Sequence, residues 1–134
     1  MAGTFYRKGL REPHFSNTML ESKTVEGKLN RFWVSTLRVS DRITWYDDTI
    51  DTVADILANR NTVPVKSCST VVTGLASYPN FRTMLETEGL QNVLPGTKSI
   101  DDGVKVYRGF YSEADEKLYG VMAIRLSLAS LTAL

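Results

Sequence analysis

The chain of 134 residues has the length of one domain and can bury about two thirds of the surface that it exposes when unfolded. Its 43% hydrophobic and 23% charged residues are typical of a globular protein, and no run of about 18 apolar residues could cross a membrane. The net charge of +1 argues against a strong non-specific nucleic-acid binder, for which a markedly basic domain is expected. We therefore predict a single domain over residues 1–134 with no membrane partner.

Charge is distributed unevenly along the chain. Residues 1–46 hold eight basic and four acidic side chains, a balance of +4, and the remainder holds eight basic and eleven acidic ones, a balance of −3. Such asymmetry can focus an anionic ligand on one side of a fold. It is more often an ordinary solvated surface, and both interpretations stay open.

The N-terminal residues and the single cysteine bear on the cellular compartment. Residues 1–13 are basic but lack the apolar segment of a secretory signal, and a lone Cys68 cannot form an internal disulfide. We expect an intracellular protein, cytoplasmic or nuclear. Cys68 is predicted to be a small apolar residue of a strand and not a catalytic thiol, because His14 is the only imidazole available as a base.

Metal and cofactor sites are not predicted. His14 has no companion histidine, and no cysteine pair exists to complete a transition-metal site. The chain also lacks a glycine-rich phosphate loop.

In chain order, the first predicted element is a short helix from Pro13 to Ser22, with apolar side chains at helical spacing. It leads into a polar strand from Lys23 to Asn30. Successive side chains of a strand point to opposite faces, so one face is suited to a core: Val25, Gly27 and Leu29. The opposite face is left to meet solvent or a ligand: Thr24, Glu26 and Lys28.

The middle of the chain favours strands. A turn at Ser40-Asp41 precedes a strand over Arg42–Tyr46, which is rich in β-branched and aromatic residues. Residues 47–61 carry the apolar spacing of a short amphipathic helix, although their Thr and Asp content equally suits a mobile excursion. Residues 62–73 predict a long strand, after which Gly74 lets the chain bend.

The second half begins with a helical pattern. From Pro79 an apolar stripe forms at helical spacing, and Gly89 is a good terminator. Residues 90–96 are predicted to form a loop that ends in a Pro-Gly turn.

Two Ser-x-x-Asp spacings, at Ser99 and Ser112, predict the starts of two more short helices. Gly120 then leads into a β-prone run over Val121–Leu128. Strands before and after a helical block, without regular βαβ alternation, predict an α+β protein with a small barrel or curled sheet.

The polar strand resembles a family motif. Lys23-Thr24-Val25-Glu26-Gly27-Lys28-Leu29 is similar to the Gly-x-Lys-x-x-Glu-x-Arg motif of ASCH domains, which belong to the PUA-like superfamily. The second half resembles one branch of that family in the order and spacing of its segments: Tyr78 to Glu86, Leu94-Pro95-Gly96, Tyr107, Tyr111-Ser112 and Tyr119 to Ile124. The resemblance covers roughly residues 10–128. It implies a small PUA-like β-barrel with flanking helices and a cleft lined by the Lys/Glu strand.

The family is linked to RNA, and the resemblance therefore implies RNA or a nucleotide as partner. PUA domains bind RNA, and some ASCH proteins act on acetylated cytidine or cleave RNA. Two positions depart from the motif, because Ser22 replaces the glycine and Lys28 replaces the arginine. Lysine keeps the charge but lacks the planar fork that grips phosphate in two places.

The first hypothesis is an RNA- or nucleotide-binding module. Lys23 and Lys28 would contact phosphates or a ligand oxyanion, and Glu26 would accept from the amino edge of a base, with Thr24 beside them. The candidates for stacking on the base are Tyr78, Tyr107 and Tyr111. Each of these tyrosines could instead pack in the core with a satisfied hydroxyl.

The second hypothesis is a metal-independent hydrolase acting on RNA or a modified nucleoside. The hydrolase branch that the chain resembles implies Lys23 as the activating lysine and Glu88 as an assisting glutamate. Glu26 stands where those enzymes place a nucleophilic hydroxyl, and Thr24 lies about 6–7 Å away along the strand. Lys23 as acid or base, with Glu26 as its polarising partner, would need a lowered pKa.

The third hypothesis is a protein-interaction adaptor that uses the acidic C-terminal half.

Overall fold

The computed structural model of the chain describes residues 4–10, 14, 18, 23–47 and 67–129. Within these residues the strands are β1 (Phe5–Leu10), β2 (Val25–Leu29), β3 (Arg42–Asp47), β4 (Ser67–Tyr78) and β5 (Val121–Leu128). A short 3-10 helix spans Phe32–Thr36. The α-helices are α1 (Phe81–Glu88), α2 (Leu90–Val93), α3 (Ile100–Arg108) and α4 (Glu113–Tyr119).

The five strands form one sheet in the order β1-β3-β4-β5-β2. β1 runs parallel to β3, whereas the other neighbouring pairs are antiparallel. The four antiparallel strands curl into a half-barrel, and the helical block lies between β4 and β5 in the chain. The predicted α+β class is confirmed, as is a barrel-like curvature of the sheet. β2 is an edge strand that pairs with β5 alone among the described strands.

Apolar side chains are buried on both faces of this sheet, because alternate residues of each central strand point in opposite directions. One cluster contains Trp45, Ile43, Val72 and Ile124. The other lies under the helices and joins Phe81, Met84 and Leu85 of α1 to β2 and β5: Val25, Leu29, Val121 and Ala123. The apolar stripe predicted for α1 is confirmed, since its three residues are fully buried.

Side-chain caps begin three of the helices. Asn80, Ser99 and Ser112 each accept a hydrogen bond from the backbone N–H three residues later, which satisfies one free donor of the first turn. Gly89 and Gly120 follow helices with φ of 97° and 74°, a backbone region that glycine adopts without strain. The predicted helix starts at Ser99 and Ser112 and the predicted ends at these glycines are confirmed.

Two boundaries differ from the sequence prediction. β4 continues through Gly74 to Tyr78, because the glycine sits in a register shift opposite β5 and does not end the strand. Residues 90–93, predicted as loop, form the short helix α2. Of the predicted helix over residues 13–22 only His14 and Thr18 are described, and both are helical. The predictions for residues 48–66 lie outside the described ranges.

The helices of the described residues are all too short to cross a membrane.

Candidate functional site

The polar strand β2 exposes one row of backbone groups that pairs with none of the described strands. Asn30 N–H donates to Gly120 O, and Thr24 O accepts from Leu126 N–H, so the even-numbered residues of β2 pair with β5. The N–H and C=O groups of Val25 and Gly27 therefore point away from the sheet. An edge of this kind needs hydrogen-bond partners from elsewhere in the chain.

Lys23 and Glu26 supply those partners. Lys23 Nζ donates to Val25 O at 2.7 Å and to Val93 O of α2 at 2.5 Å. Glu26 Oε1 accepts from Gly27 N–H at 2.9 Å, and its Oε2 lies 3.8 Å from Lys23 Nζ. The two side chains thus satisfy Val25 O and Gly27 N–H on this edge, and Lys23 ties β2 to the helical block.

Both side chains are buried, with Lys23 2% and Glu26 6% exposed. Glu26 has little contact with solvent, because its carboxylate turns back onto the edge of its own strand, and whether it contacts a ligand stays a prediction. Burial lowers the pKa of Lys23, Glu26 opposes that shift, and Lys28 adds to it. A lysine acting as acid or base needs such a lowered pKa, because it must give up its proton near neutral pH.

A cavity of about 330 Å³ lies beside Lys23, at the end of the sheet where β2 begins. Four of its described lining residues carry hydroxyl groups: Thr18, Thr24, Thr70 and Ser127. The others are Lys23, Leu126 and Leu128. Small-molecule pockets have volumes of about 300–1,000 Å³, so this cavity can accept a group the size of a nucleoside.

Two of the cavity's hydroxyl groups already donate hydrogen bonds to backbone carbonyls of the protein. Thr70 Oγ1 donates to Ile43 O at 2.9 Å and accepts from Trp45 Nε1 at 3.0 Å. Thr18 Oγ1 donates to His14 O at 2.8 Å. These two threonines are almost fully buried, so the hydroxyls that can donate to a ligand and accept from it are those of Thr24 and Ser127.

The other predicted site residues lie elsewhere. Lys28 is half-buried on β2 and is absent from the lining of this cavity. Tyr107 is 4% exposed and stacks on Phe81, with ring centroids 4.2 Å apart. Its hydroxyl has no hydrogen-bond partner among the described residues, and burial raises its pKa. Tyr111 continues the stack, with its ring 5.4 Å from that of Phe81.

Glu88 lies at the end of α1, where it joins that helix to two strands. Arg125 of β5 donates from Nε and Nη2 to its two carboxylate oxygens, both at 2.8 Å, and the Tyr78 hydroxyl also donates to it. Arg125 holds the pKa of Glu88 below its usual range. In the described residues no hydrogen bond or ion pair joins Glu88 to Lys23. Arg125 was not among the site residues predicted from the sequence. Its signal was a lone charged residue in the apolar run Val121–Leu128.

The residues described by the structure contain no group of three His, Cys, Asp or Glu side chains that could hold a metal ion. Cys68 is buried in β4, as predicted for an apolar residue of a strand.

Comparison with known proteins gives structural relatives whose descriptions name no activity. No protein-family model matches the chain, and no curated protein matches it. The chain is similar to hypothetical protein PH0355, whose crystal structure is known, with 33% identity and a TM-score of 0.76 over 94% of this chain and 100% of the other. It is also similar to Protein PF0455 from Pyrococcus furiosus, solved by NMR in solution, with 33% identity and a TM-score of 0.70 over 95% of this chain and 99% of the other.

Proposed function

We propose that this chain, which belongs to the same family as hypothetical protein PH0355 and Protein PF0455, binds RNA or a nucleotide in the cavity beside Lys23. We also propose that this family is a branch of the ASCH domains and that the half-barrel sheet is a PUA-like barrel. The resemblance of residues 23–29 to the ASCH motif supports both proposals.

One observation carries the proposed binding site: a buried lysine stands in the wall of a hydroxyl-lined cavity of about 330 Å³. Lys23 fixes this wall through its bonds to Val25 O and Val93 O, and the neighbouring threonine and serine hydroxyls offer donors and acceptors. Nucleobases and ribose present hydrogen-bonding groups of both kinds, which such a lining can satisfy. The pairing of Lys23 with Glu26 leaves little net positive charge in this wall, so hydrogen bonding is the main source of affinity in the cavity.

The test is equilibrium binding of ribonucleoside monophosphates and of a labelled single-stranded RNA, followed by calorimetry and fluorescence anisotropy. Thr24→Val keeps the shape of a half-buried side chain but removes its hydroxyl, and we expect weaker binding by a factor of roughly 3–10. Lys23→Met removes the amine, and Lys105→Met is the matched control on an exposed helix position. Binding that is unchanged in both Thr24→Val and Lys23→Met would exclude this cavity as the site.

A second function, hydrolysis of RNA or of an acylated nucleoside, is favoured by one further observation. Burial lowers the pKa of Lys23, and the Thr24 hydroxyl lines the same cavity. On this mechanism neutral Lys23 takes the proton of the attacking hydroxyl or water, and Glu26 stabilises the ammonium that forms. Glu88 is bound by Arg125 and has no hydrogen bond or ion pair to Lys23 in the described residues, so this mechanism does not use it.

The hydrolase is tested by incubating folded protein with EDTA and either labelled RNA or acetylated cytidine. Product that disappears in Lys23→Met but persists in Lys105→Met would support it. If no product forms over several hours, the hydrolase proposal is refuted for these substrates.

A further inference from the structure

An aromatic side chain projects into solvent just beyond the C-terminal end of β2. Phe32 is 74% exposed, and its backbone has φ of 55°, in the left-handed region. That conformation is unfavourable for a residue with a side chain, and a bulky residue there is a genuine outlier. Burial does not repay this cost, since most of the ring stays in water.

Arg31 lies between this ring and a second one. Its guanidinium carbon is 4.9 Å from the centroid of Phe32 and 5.0 Å from that of Tyr119, which is 39% exposed. Arg31 Nη1 approaches Asp115 Oδ2 at 3.6 Å, beyond hydrogen-bond distance, and the side chain is 27% exposed. None of the hydrogen bonds among the described residues involves this guanidinium, so its N–H donors remain free for an acceptor.

The ligand that fits these groups carries both a flat ring and an anion. We propose that Arg31, Phe32 and Tyr119 form a second contact site for single-stranded RNA, in which a base stacks on Phe32 and a phosphate binds Arg31. This inference rests on the proposed function. An apolar protein partner would cover the guanidinium without satisfying its donors, whereas a nucleotide satisfies ring and donors together. A phosphate that binds Arg31 releases counterions, so binding at this surface weakens as salt rises, and Asp115 is the group that the phosphate must displace.

The two sites lie at opposite ends of β2. The cavity adjoins Lys23, and the aromatic surface begins nine positions later, a separation of up to about 30 Å along an extended chain. A mononucleotide cannot touch both ends. An oligonucleotide can, and its second contact then gains from the high effective concentration that the first contact creates.

The experiment measures binding of a labelled single-stranded RNA of about ten nucleotides by anisotropy, at two salt concentrations. The variants are Phe32→Ala, Arg31→Gln and Lys23→Met. Phe110→Ala is the matched control, because that ring is 56% exposed and no arginine lies over it in the described residues. Phe32 is exposed, so its truncation leaves the core intact, which a thermal melt verifies.

We expect Phe32→Ala to weaken binding roughly fivefold to a hundredfold, the range for loss of one base stack, and Arg31→Gln to weaken binding and flatten its salt dependence. The control keeps the affinity of the unaltered protein. If Phe32→Ala binds as well as the control while Lys23→Met loses affinity, the second site is refuted and the cavity proposal stands. If the unaltered protein binds no RNA at either salt concentration, the second site is refuted, and the cavity proposal then rests on nucleotide binding alone.

Discussion

Gly27 is the point where β2 approaches the helical block most closely, and replacing it with alanine tests that packing. A Cβ atom at residue 27 would lie 2.6 Å from Met84 Cε and 2.8 Å from Tyr107 Oη. The methionine end can move, but Tyr107 is fixed by its stack on Phe81 at 4.2 Å. Overpacking of this kind costs about 1–3 kcal/mol. Alanine restricts the unfolded chain more than glycine does, which returns about 0.5–1 kcal/mol.

The net expectation for Gly27→Ala is a loss of roughly 1–2 kcal/mol in the free energy of unfolding, measured by urea denaturation. Tyr107→Phe removes the phenolic oxygen that the new methyl group meets, and that oxygen has no hydrogen-bond partner among the described residues. This second change alone should therefore be nearly neutral, and it should restore most of the loss in the double variant. A neutral Gly27→Ala, or a double variant without recovery, would refute this account of the packing.

Three further predictions concern residues outside the cavity. Arg125 holds the pKa of Glu88 low, so the stabilisation from Glu88 is present above its unfolded pKa of about 4.3 and is lost as the pH falls through the folded value. Glu88→Gln should therefore lower the free energy of unfolding by about 1–2 kcal/mol at neutral pH and flatten the acid limb of a plot of stability against pH. Phe32→Asn should raise the free energy of unfolding by up to about 1 kcal/mol, since asparagine tolerates a left-handed backbone, and a lower melting temperature would contradict this. Burial raises the pKa of Cys68 to about 11, so the thiol should react with Ellman's reagent at pH 8 only after denaturation; rapid reaction of the native protein would show that the strand is open there.

Local patterns predicted much of the second half of the chain. The caps at Ser99 and Ser112, the terminating glycines and the buried stripe of α1 depend on residues within a few positions of one another. Such interactions are encoded by short-range spacing. The α+β class followed from the order of these elements.

The environment of the candidate site could not be read in the same way. Lys23 can be buried because Val93 O, 70 residues away, accepts a hydrogen bond from its Nζ. No pattern within residues 23–30 reveals that carbonyl. Alternation placed Glu26 on a polar face, but an edge strand lets a side chain bend back to its own backbone, which overrides the simple rule. Arg125 was missed because its partner Glu88 lies 37 residues earlier, on a helix. Whether Lys23, Glu26 and Thr24 bind a ligand stays a prediction.

The sheet order also determines when β2 can form during synthesis. β2 ends at Leu29, and its strand partner β5 begins at Val121, so more than half of the chain leaves the ribosome before the two can pair. Until then the polar strand is an unpaired segment, and closing so long a loop slows folding. Lys23 and Glu26 bond to their own strand and to Val93 O, and none of these groups belongs to β5. The even-numbered residues of β2 face β5, so hydrogen exchange at Glu26 and Lys28 would report directly that the last strand has docked.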